Sequence, residues 1–377
     1  MTHLLLHSTI TAIYTTPVSP RVRADLLVSG ARGTHDRSDF LIVRVVTSAG
    51  VDGIGEVSAT LTWSGEDSAT AQHVIDTVLA PALIGQSLVP VVALEARMDR
   101  VLAGNPFTKA GLSIALWDAY AKTLDVPLAV ALGGPVRTEV PIKCSLSGNE
   151  ERLSTGLARA REAGFAAYKI KIGMDVDTDV ARMRELRDLV GPDVFIGLDA
   201  NGGYSRTDAR QAAQRLLPYG PAFFEQPVAP GDLVGMRELR ALGLPIVADE
   251  SVFGMDDLVA VIGASAADVV SLYVGKSGGP GRAVEMGRVA HAAGLGVVIG
   301  SNGELGIGAA AQLHVACAVS GLSMDIPSDI IGAHYYDEDV LVGGIESDGS
   351  HVRLGEAPGL GVTLTDELAE RLSGSKK

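Results

Sequence analysis

Three acidic residues follow three successive apolar runs of the chain. The runs are FIGLD ending at Asp199, AFFE ending at Glu225 and LPIVAD ending at Asp249, and they are about 25 residues apart. In a barrel of parallel strands, equal intervals bring equivalent strand ends to one rim, so these carboxylates converge. Carboxylate oxygens are the ligands that Mg²⁺ prefers. The spacing therefore predicts a Mg²⁺ site that also suits Mn²⁺.

Two lysines lie in the run before these, YKIKIG. Lys169 and Lys171 are two residues apart, so they share one face of a strand while Ile170 and Ile172 take the other. The isoleucines suit the layer that faces the helices, which turns both lysines into the barrel mouth. Two neighbouring ammonium groups repel each other, so at least one pKa is expected to fall, and a lysine with a lowered pKa can act as a general base. An isolated pair of this kind is more often a solvated edge, but the three carboxylates that follow favour a site.

Polar residues beside these carboxylates are candidates for supporting roles. Glu250 follows Asp249 directly and points elsewhere in a regular strand, so we expect it to hydrogen-bond a ligand or a lysine. Asn201 shares the face of Asp199 and is expected to bond a ligand or a metal-bound water. A cation that binds a substrate carboxylate stabilises the enediolate formed when the α-carbon loses its proton. The residue types therefore indicate proton transfer beside a carboxylate, with a lysine as acid or base.

The elements that must position these residues form one repeating pattern from Val140 onward. A short β-rich run, a turn and an amphipathic helical stretch recur every 24 to 28 residues or so, which predicts an α/β fold with a parallel (β/α)₈-type barrel over residues 126–340. An open doubly wound sheet is the alternative. The predicted strands are VPIKCSLS, AAYKIKIG, VFIGLDAN, PAFFEQPV, LPIVADES, VVSLYVGK, GVVIGSN and LSMDIPSD.

The two ends of the chain follow another pattern. Residues 1–125 show antiparallel strand patterns followed by helices, which predicts a separate α+β domain, and residues 341–377 are expected to return to it. The net charge of −14 and the lack of a basic run disfavour nucleic acid and anionic membranes as partners. Neither a signal peptide nor a membrane helix is predicted, and Cys144 and Cys317 are expected to be reduced core thiols of a cytoplasmic protein.

These motifs, in this order, resemble the enolase superfamily and its muconate lactonizing enzyme subgroup. The matching elements are the KxK of YKIKIG, then LDAN, FEQP, ADES and the GG of KSGG. The resemblance runs nearly end to end, with the N-terminal part as the capping domain of an enolase-like modified TIM barrel. It implies that Lys171 is the acid/base lysine, that Lys169 is its electrostatic partner, and that Asp199, Glu225 and Asp249 bind the metal.

The sequence departs from the subgroup at the sixth strand, SLYVGKSGG. Where the subgroup has its second catalytic lysine this chain has Tyr273, and the nearest lysine is Lys276. Strand alternation places Tyr273 opposite Lys171, whereas Lys276 reaches the site only if the strand ends or bulges first. The alternative for Lys276 is a loop lysine in contact with solvent. A tyrosine is a poor base near neutral pH but donates a hydrogen bond or a proton.

This departure bears on the reaction that the resemblance implies. Epimerisation by two bases needs an acid/base on each face, so the dipeptide epimerases are disfavoured. Those epimerases also have an Asp-x-Asp in the eighth strand, where this chain has Asp329 followed by Ile330 and Ile331. The mandelate racemase branch is disfavoured too, because no histidine follows the seventh strand. Substrate contacts are expected from two capping-domain loops and from the last strand ends, and the candidates are Arg32, His35, Arg37, Trp63, Ser301, Asn302 and Asp329.

The resemblance therefore implies a Mg²⁺-dependent isomerase or lyase that acts on a small carboxylate substrate by α-proton transfer through an enolate. A muconate cycloisomerase-type reaction comes first, because it tolerates one base. The alternatives are a hydroxy-acid dehydratase, in which Tyr273 protonates the leaving hydroxide, and an o-succinylbenzoate synthase-like enzyme. From another class, the alternative is a catalytically inert metal- or ligand-binding homologue. A homo-oligomer is expected from the resemblance.

Overall fold

The computed structural model describes residues 8–30, 33–35 and 37–373. Its N-terminal part is an antiparallel sheet of Ile10–Val18, Phe40–Thr47 and Asp52–Val57, in that order. The long helix Pro106–Leu124 lies on this sheet. Glycine permits the close approach, because a Cβ added at Gly55 would lie 2.0 Å from a backbone oxygen of the helix.

The remaining strands are Val28–Gly30, Gly33–His35, Glu139–Pro141, Cys144–Leu146, Ala167–Lys171, Phe195–Asp199, Phe224–Glu225, Ile246–Ala248, Val269–Leu272, Gly296–Ile299 and His351–Arg353. The α-helices are Leu61–Ser64, Ser68–Val74, Ala80–Leu83, Val91–Val101, Pro106–Leu124, Leu128–Ala131, Glu150–Glu162, Val176–Val190, Arg206–Leu216, Leu233–Arg240, Met255–Ala264, Val274–Ser277, Pro280–Ala292, Gly306–Ala318 and Asp366–Arg371. A π-helical turn spans Ile75–Leu79, and 3₁₀ turns span Ala24–Leu26, Leu217–Tyr219 and Gly332–Tyr335.

The strands from Cys144–Leu146 to Gly296–Ile299 form one seven-stranded parallel sheet in chain order. Helices connect successive strands, and polar side chains begin several of them. Asp175, for example, accepts a hydrogen bond from the backbone N–H of Thr178 at the start of Val176–Val190. Several βα units therefore carry their own helix start signal, which agrees with the periodicity of the sequence.

Residues 322–329 close the ring between the seventh strand and the first. The Ser328 N–H donates to Pro141 O at 2.8 Å, and the Asp329 N–H donates to Ile299 O at 2.8 Å. The predicted eighth strand is thus present as a short bridging segment, and the predicted barrel with an N-terminal capping domain is confirmed. The predicted domain limits at 125 and 340 remain predictions.

The C-terminal segment meets both parts of the molecule. His351–Arg353 pairs antiparallel with Glu139–Pro141, and the Arg44 guanidinium donates to Leu372 O at 2.9 Å. Cys144 and Cys317 are buried and free, as expected for core thiols. Within the described ranges, no helix is both long and apolar enough to cross a membrane.

Candidate active site

The register of the barrel places the predicted lysines and carboxylates at one rim. Lys171 is paired with Asp199 across the second and third strands, and Asp199 is paired with Glu225 across the third and fourth. Asp249 directly follows the fifth strand, Ile246–Ala248. Parallel pairing at equal heights therefore brings these side chains together, as their spacing predicted.

The three predicted metal ligands are buried carboxylates. Asp199, Glu225 and Asp249 are 1%, 1% and 0% exposed. The Lys169 ammonium lies between two of them, with its Nζ 3.1 Å from a Glu225 oxygen and 3.4 Å from Asp199 Oδ2. Lys171 Nζ donates to the same Asp199 oxygen at 2.6 Å. The acidic and basic groups thus form one connected cluster.

The electrostatics of this cluster follow from burial and crowding. Burial, together with the neighbouring Asp199 and Asp249, raises the pKa of Glu225 to about 8 against the opposing effect of Lys169. Although burial opposes it, the Lys171 and Lys169 ammonium groups lower the pKa of Asp199 to about 2. The pKa of Lys169 is raised well above its ordinary value, because the carboxylates around it outweigh its burial. Lys169 is therefore not the lysine of this pair whose pKa was expected to fall.

The donor set fits a hard divalent cation. Buried carboxylates that crowd one another are stabilised by positive charge, and all the donors are oxygens. A different group, Glu139, Asp348 and His351, has ligand atoms that all lie within 4.8 Å of one another. Both of its carboxylates already pair with Arg353, so we assign no metal to it. Each of the three barrel carboxylates is paired with a lysine ammonium group instead: Asp199 with Lys171, Glu225 with Lys169 and Asp249 with Lys276.

A hydrogen-bonded chain positions the Lys171 ammonium. Lys171 Nζ donates to Asn201 Oδ1 at 3.0 Å, and the Asn201 amide donates to Glu250 Oε1 at 3.0 Å. The Trp63 indole N–H donates to the same Glu250 oxygen at 3.2 Å. Asn201 and Glu250 therefore hold the positions expected of supporting residues, and a capping-domain side chain joins them.

Tyr273 lies on the opposite side of the ring, four strands from Lys171. Its hydroxyl donates to Asp249 Oδ2 at 2.9 Å, and its ring stacks on Trp63 with centroids 5.5 Å apart and 7° between planes. Gly300 makes room for the ring, because a Cβ there would lie 2.0 Å from a Tyr273 carbon. Burial and nearby carboxylates raise the pKa of Tyr273 well above its ordinary value. This side of the mouth therefore presents stacked aromatic rings, with a tyrosine rather than a lysine at position 273.

Lys276 does not contact solvent, so the alternative of a solvent-exposed loop lysine is wrong. The strand ends at Leu272 and the chain turns into the helix Val274–Ser277, which directs the lysine inward. Its side chain is buried, and Nζ donates to Asp249 Oδ1 at 2.5 Å and to Ser271 O at 2.9 Å. Lys276 therefore holds a predicted metal ligand rather than facing Lys171.

Asp329 is buried, and an unpredicted lysine is its partner. Asp329 Oδ2 accepts from Lys169 Nζ at 3.1 Å and from Lys143 Nζ at 3.0 Å. Sequence reasoning missed Lys143, although its position in the first barrel run, VPIKCSLS, was a usable signal. Because two ammonium groups already share this carboxylate, it is not a free rim position.

The remaining predicted contacts lie at varied distances from the cluster. Asn302 Nδ2 donates to Ser58 O at 2.6 Å and to Thr60 Oγ1 at 3.1 Å, which ties the seventh strand end to the loop before Trp63. Ser301 donates to Glu304. Arg37 is exposed on the surface. Arg32 and the side chain of His35 lie outside the described part of the chain.

Two protein-family models match the chain. "Mandelate racemase / muconate lactonizing enzyme, N-terminal domain" matches residues 12–133, and "Enolase C-terminal domain-like" matches residues 153–368. The chain belongs to the enolase superfamily. Together with its relatives, these matches place it in the muconate lactonizing enzyme-like subgroup as an isomerase or lyase.

Similar proteins of the superfamily differ in their reactions. Muconate cycloisomerase 1 of Rhodococcus opacus is 32% identical over 331 residues, 86% of this chain and 88% of its own. An L-Ala-D/L-Glu epimerase of Bacillus subtilis is 33% identical over 333 residues, 86% of this chain and 89% of its own.

Solved structures that resemble this chain also come from enzymes with different reactions. Muconate lactonizing enzyme from Pseudomonas fluorescens, complexed with muconolactone, has a TM-score of 0.91 at 29% identity and covers 97% of this chain and 99% of its own. A dipeptide epimerase from Enterococcus faecalis, complexed with Mg and the dipeptide L-Leu-L-Tyr, has a TM-score of 0.88 at 28% identity and covers 94% and 99%. The superfamily is thus shared, while the reaction varies among its members.

Proposed function

We propose that this chain is a Mg²⁺-dependent enzyme that moves the α-proton of a small carboxylate substrate from one face only, in a muconate cycloisomerase-type reaction. The observation that supports this proposal is the difference between the two sides of the barrel mouth. Lys171 lies at one side, and the stacked rings of Tyr273 and Trp63 lie across from it. A reaction with one base needs no second lysine, whereas two-base epimerisation does.

Asp199, Glu225 and Asp249 would hold the cation. When bound, it would withdraw charge from the substrate carboxylate and so stabilise an enolate. Support comes from the burial of the three oxygen donors and from a superfamily member solved with Mg.

Lys171 would take or return the α-proton at its Nζ. Asn201 and Glu250 keep that ammonium at the rim, and Lys169 contributes a fixed positive charge beside Asp199 and Glu225. Tyr273 stays protonated and orients Asp249 by hydrogen bonding. The capping-domain residue Trp63 covers this side and shields it from water.

A dehydratase reaction and o-succinylbenzoate synthesis share this inner site. In the dehydratase, Tyr273 would protonate the leaving group. Its hydroxyl already donates a hydrogen bond to Asp249, which favours the cycloisomerase-type reaction. A Tyr273→Phe variant that keeps α-proton exchange but loses product would favour the dehydratase. The expected homo-oligomer and cytoplasmic location remain predictions.

The test is a library of carboxylic acids incubated in D₂O with Mg²⁺ and analysed by mass spectrometry. We expect deuterium at the α-carbon of at least one acid with wild type, and none with Lys171→Ala or after chelation of Mg²⁺. Lys122→Met is the matched control, because it removes a lysine that pairs with Asp118 instead. Metal binding without exchange of any acid would favour an inert homologue, and exchange that survives Lys171→Ala would refute the proposal.

A further inference from the structure

Lys143 is a lysine of the barrel interior that the proposed reaction does not use. It precedes the first strand of the parallel sheet, and its side chain is 1% exposed. Its ammonium donates to Pro327 O at 2.5 Å and to Asp329 Oδ2 at 3.0 Å. Because an unpaired buried charge is strongly destabilising, these acceptors are what permit a lysine here.

The Asp329 carboxylate links this lysine to the active site. The oxygen that accepts from Lys143 also accepts from Lys169 Nζ at 3.1 Å. Lys169 in turn lies 3.1 Å from a Glu225 oxygen. A continuous series of ion pairs therefore runs from the first strand to a predicted metal ligand.

The charges around Lys169 show why a second ammonium matters. Its Nζ lies within 3.4 Å of oxygens of Glu225, Asp199 and Asp329. Lys171 also pairs with Asp199, but these two ammonium groups do not balance three carboxylates in a buried site. Lys143 supplies the missing positive charge on the side of Asp329. With Lys143 present, Asp329 therefore adds little net negative charge to the carboxylates that face the substrate.

We propose that Lys143 is a positioning residue of the active site, which balances the charge of Asp329 and thereby keeps Lys169 directed at Glu225 and Asp199. This inference rests on the proposed function, since it concerns the same carboxylates. Without Lys143, the unbalanced Asp329 would draw Lys169 towards itself and leave Glu225 and Asp199 more negative. The predicted metal site would then attract a dication more strongly, but with Lys169 displaced.

The experiment measures Mn²⁺ binding by electron paramagnetic resonance, because it needs no substrate. Lys143→Met is expected to bind Mn²⁺ at least threefold more tightly than wild type. Asp329→Asn removes a negative charge and is expected to bind it at least threefold more weakly. The double variant removes both charges and is expected to lie within twofold of wild type. Lys143→Arg keeps the charge and is expected to stay near wild type.

Lys122→Met is the matched control, since Lys122 also pairs with a buried aspartate, Asp118, outside the barrel mouth. It is expected to lower the melting temperature and leave the Mn²⁺ affinity unchanged. A role of Lys143 in folding alone would give the same result for Lys143→Met.

A folded Lys143→Met protein with wild-type Mn²⁺ affinity would overturn the inference. If Lys143→Met does not fold, the other variants decide the question. An unchanged Mn²⁺ affinity in Asp329→Asn would overturn the inference. A double variant that binds Mn²⁺ as weakly as Asp329→Asn would overturn it too. Wild-type protein that binds no Mn²⁺ would refute the proposed function and this role together. Normal binding by wild type with no shift in the variants would refute only the role of Lys143.

Discussion

The two sides of the barrel mouth are built from opposite kinds of residue. At the second strand, Lys171 is tied by hydrogen bonds to Asp199 and Asn201, so a charged and polar group faces the substrate space. At the sixth strand, Tyr273 and Trp63 present stacked rings. Under the proposed function, the comparison teaches that one fold can keep its predicted metal ligands and yet offer a proton-transfer group on one face only.

The lysine near the aromatic side makes the contrast sharper. Lys276 lies close to Tyr273, with Nζ 4.1 Å from the ring centroid. Its hydrogen bonds nevertheless go to Asp249 and to the backbone of Ser271. The lysine on this side thus hydrogen-bonds a predicted metal ligand and a backbone carbonyl.

The largest expected effect is on the charged side. Lys171→Ala is expected to slow α-proton exchange by about 10²- to 10⁴-fold, because general acid–base catalysis contributes that much. Exchange rates in D₂O, measured by mass spectrometry, test this. Lys122→Met should retain exchange. An exchange rate of Lys171→Ala within tenfold of wild type would contradict the proposed difference between the two sides.

The next effect concerns Asp249, the predicted metal ligand that contacts Tyr273 and Lys276. Asp249→Asn is expected to weaken Mn²⁺ binding by at least about 10- to 100-fold, because loss of a residue that only supports a metal ligand already costs that much. It also leaves the buried Lys276 ammonium without its carboxylate, so the melting temperature should fall. Electron paramagnetic resonance measures the Mn²⁺ affinity, and calorimetry measures the melting temperature. Wild-type Mn²⁺ affinity in Asp249→Asn would exclude Asp249 as a ligand.

A smaller effect is expected on the aromatic side. Tyr273→Phe keeps the stacked ring and removes only the hydroxyl that donates to Asp249. The expected cost is about 1.5 to 3 kcal/mol of unfolding free energy, the value of a hydrogen bond to a charged group. Exchange should fall by less than in Lys171→Ala. A loss of exchange as large as that of Lys171→Ala would show that Tyr273 itself moves the proton.

The smallest effect on activity is expected far from both sides, at His314. Its Nδ1 accepts from the Ala129 N–H at 3.0 Å, and burial lowers its pKa to about 4. Because the folded pKa lies below the unfolded value of 6.5, its stabilising contribution is full above pH 6.5 and is lost as the pH falls towards 4. The loss amounts to about 3 kcal/mol.

Denaturant unfolding at pH 7 and pH 4 measures this loss. His314→Gln should show a smaller difference between the two pH values and unchanged exchange at pH 7. An equal pH dependence in the variant and in wild type would contradict the assignment.

The sequence predicted the ring and its charged side because strand periodicity alone fixes them. The runs ending at Asp199, Glu225 and Asp249 need only equal spacing to meet at one rim. The direction of the Lys276 side chain could not be predicted in this way, because it depends on the residue at which the sixth strand ends. Its helix turn packs Gly275 against Phe107 of the capping domain, where a Cβ would lie 2.4 Å from the ring. Such packing between distant segments is not visible in local periodicity.

Lys143 was missed for a similar reason. Its position in a barrel run was a signal, but a single lysine in an apolar run also fits an exposed position. Its partner Asp329 lies 186 residues further along the chain. Only closure of the ring brings the two together. The buried state of Asp329, which had been expected at the rim, follows from the same pairing.

The most direct test follows the stereochemistry of exchange. Each enantiomer of an acid that responds in the D₂O library would be incubated with enzyme and Mg²⁺, then separated by chiral chromatography and analysed by mass spectrometry. A base on one face predicts that deuterium enters one enantiomer with retention, and that the other enantiomer stays unlabelled and does not form. Formation of the deuterated opposite enantiomer at a comparable rate would show a second base and contradict this account.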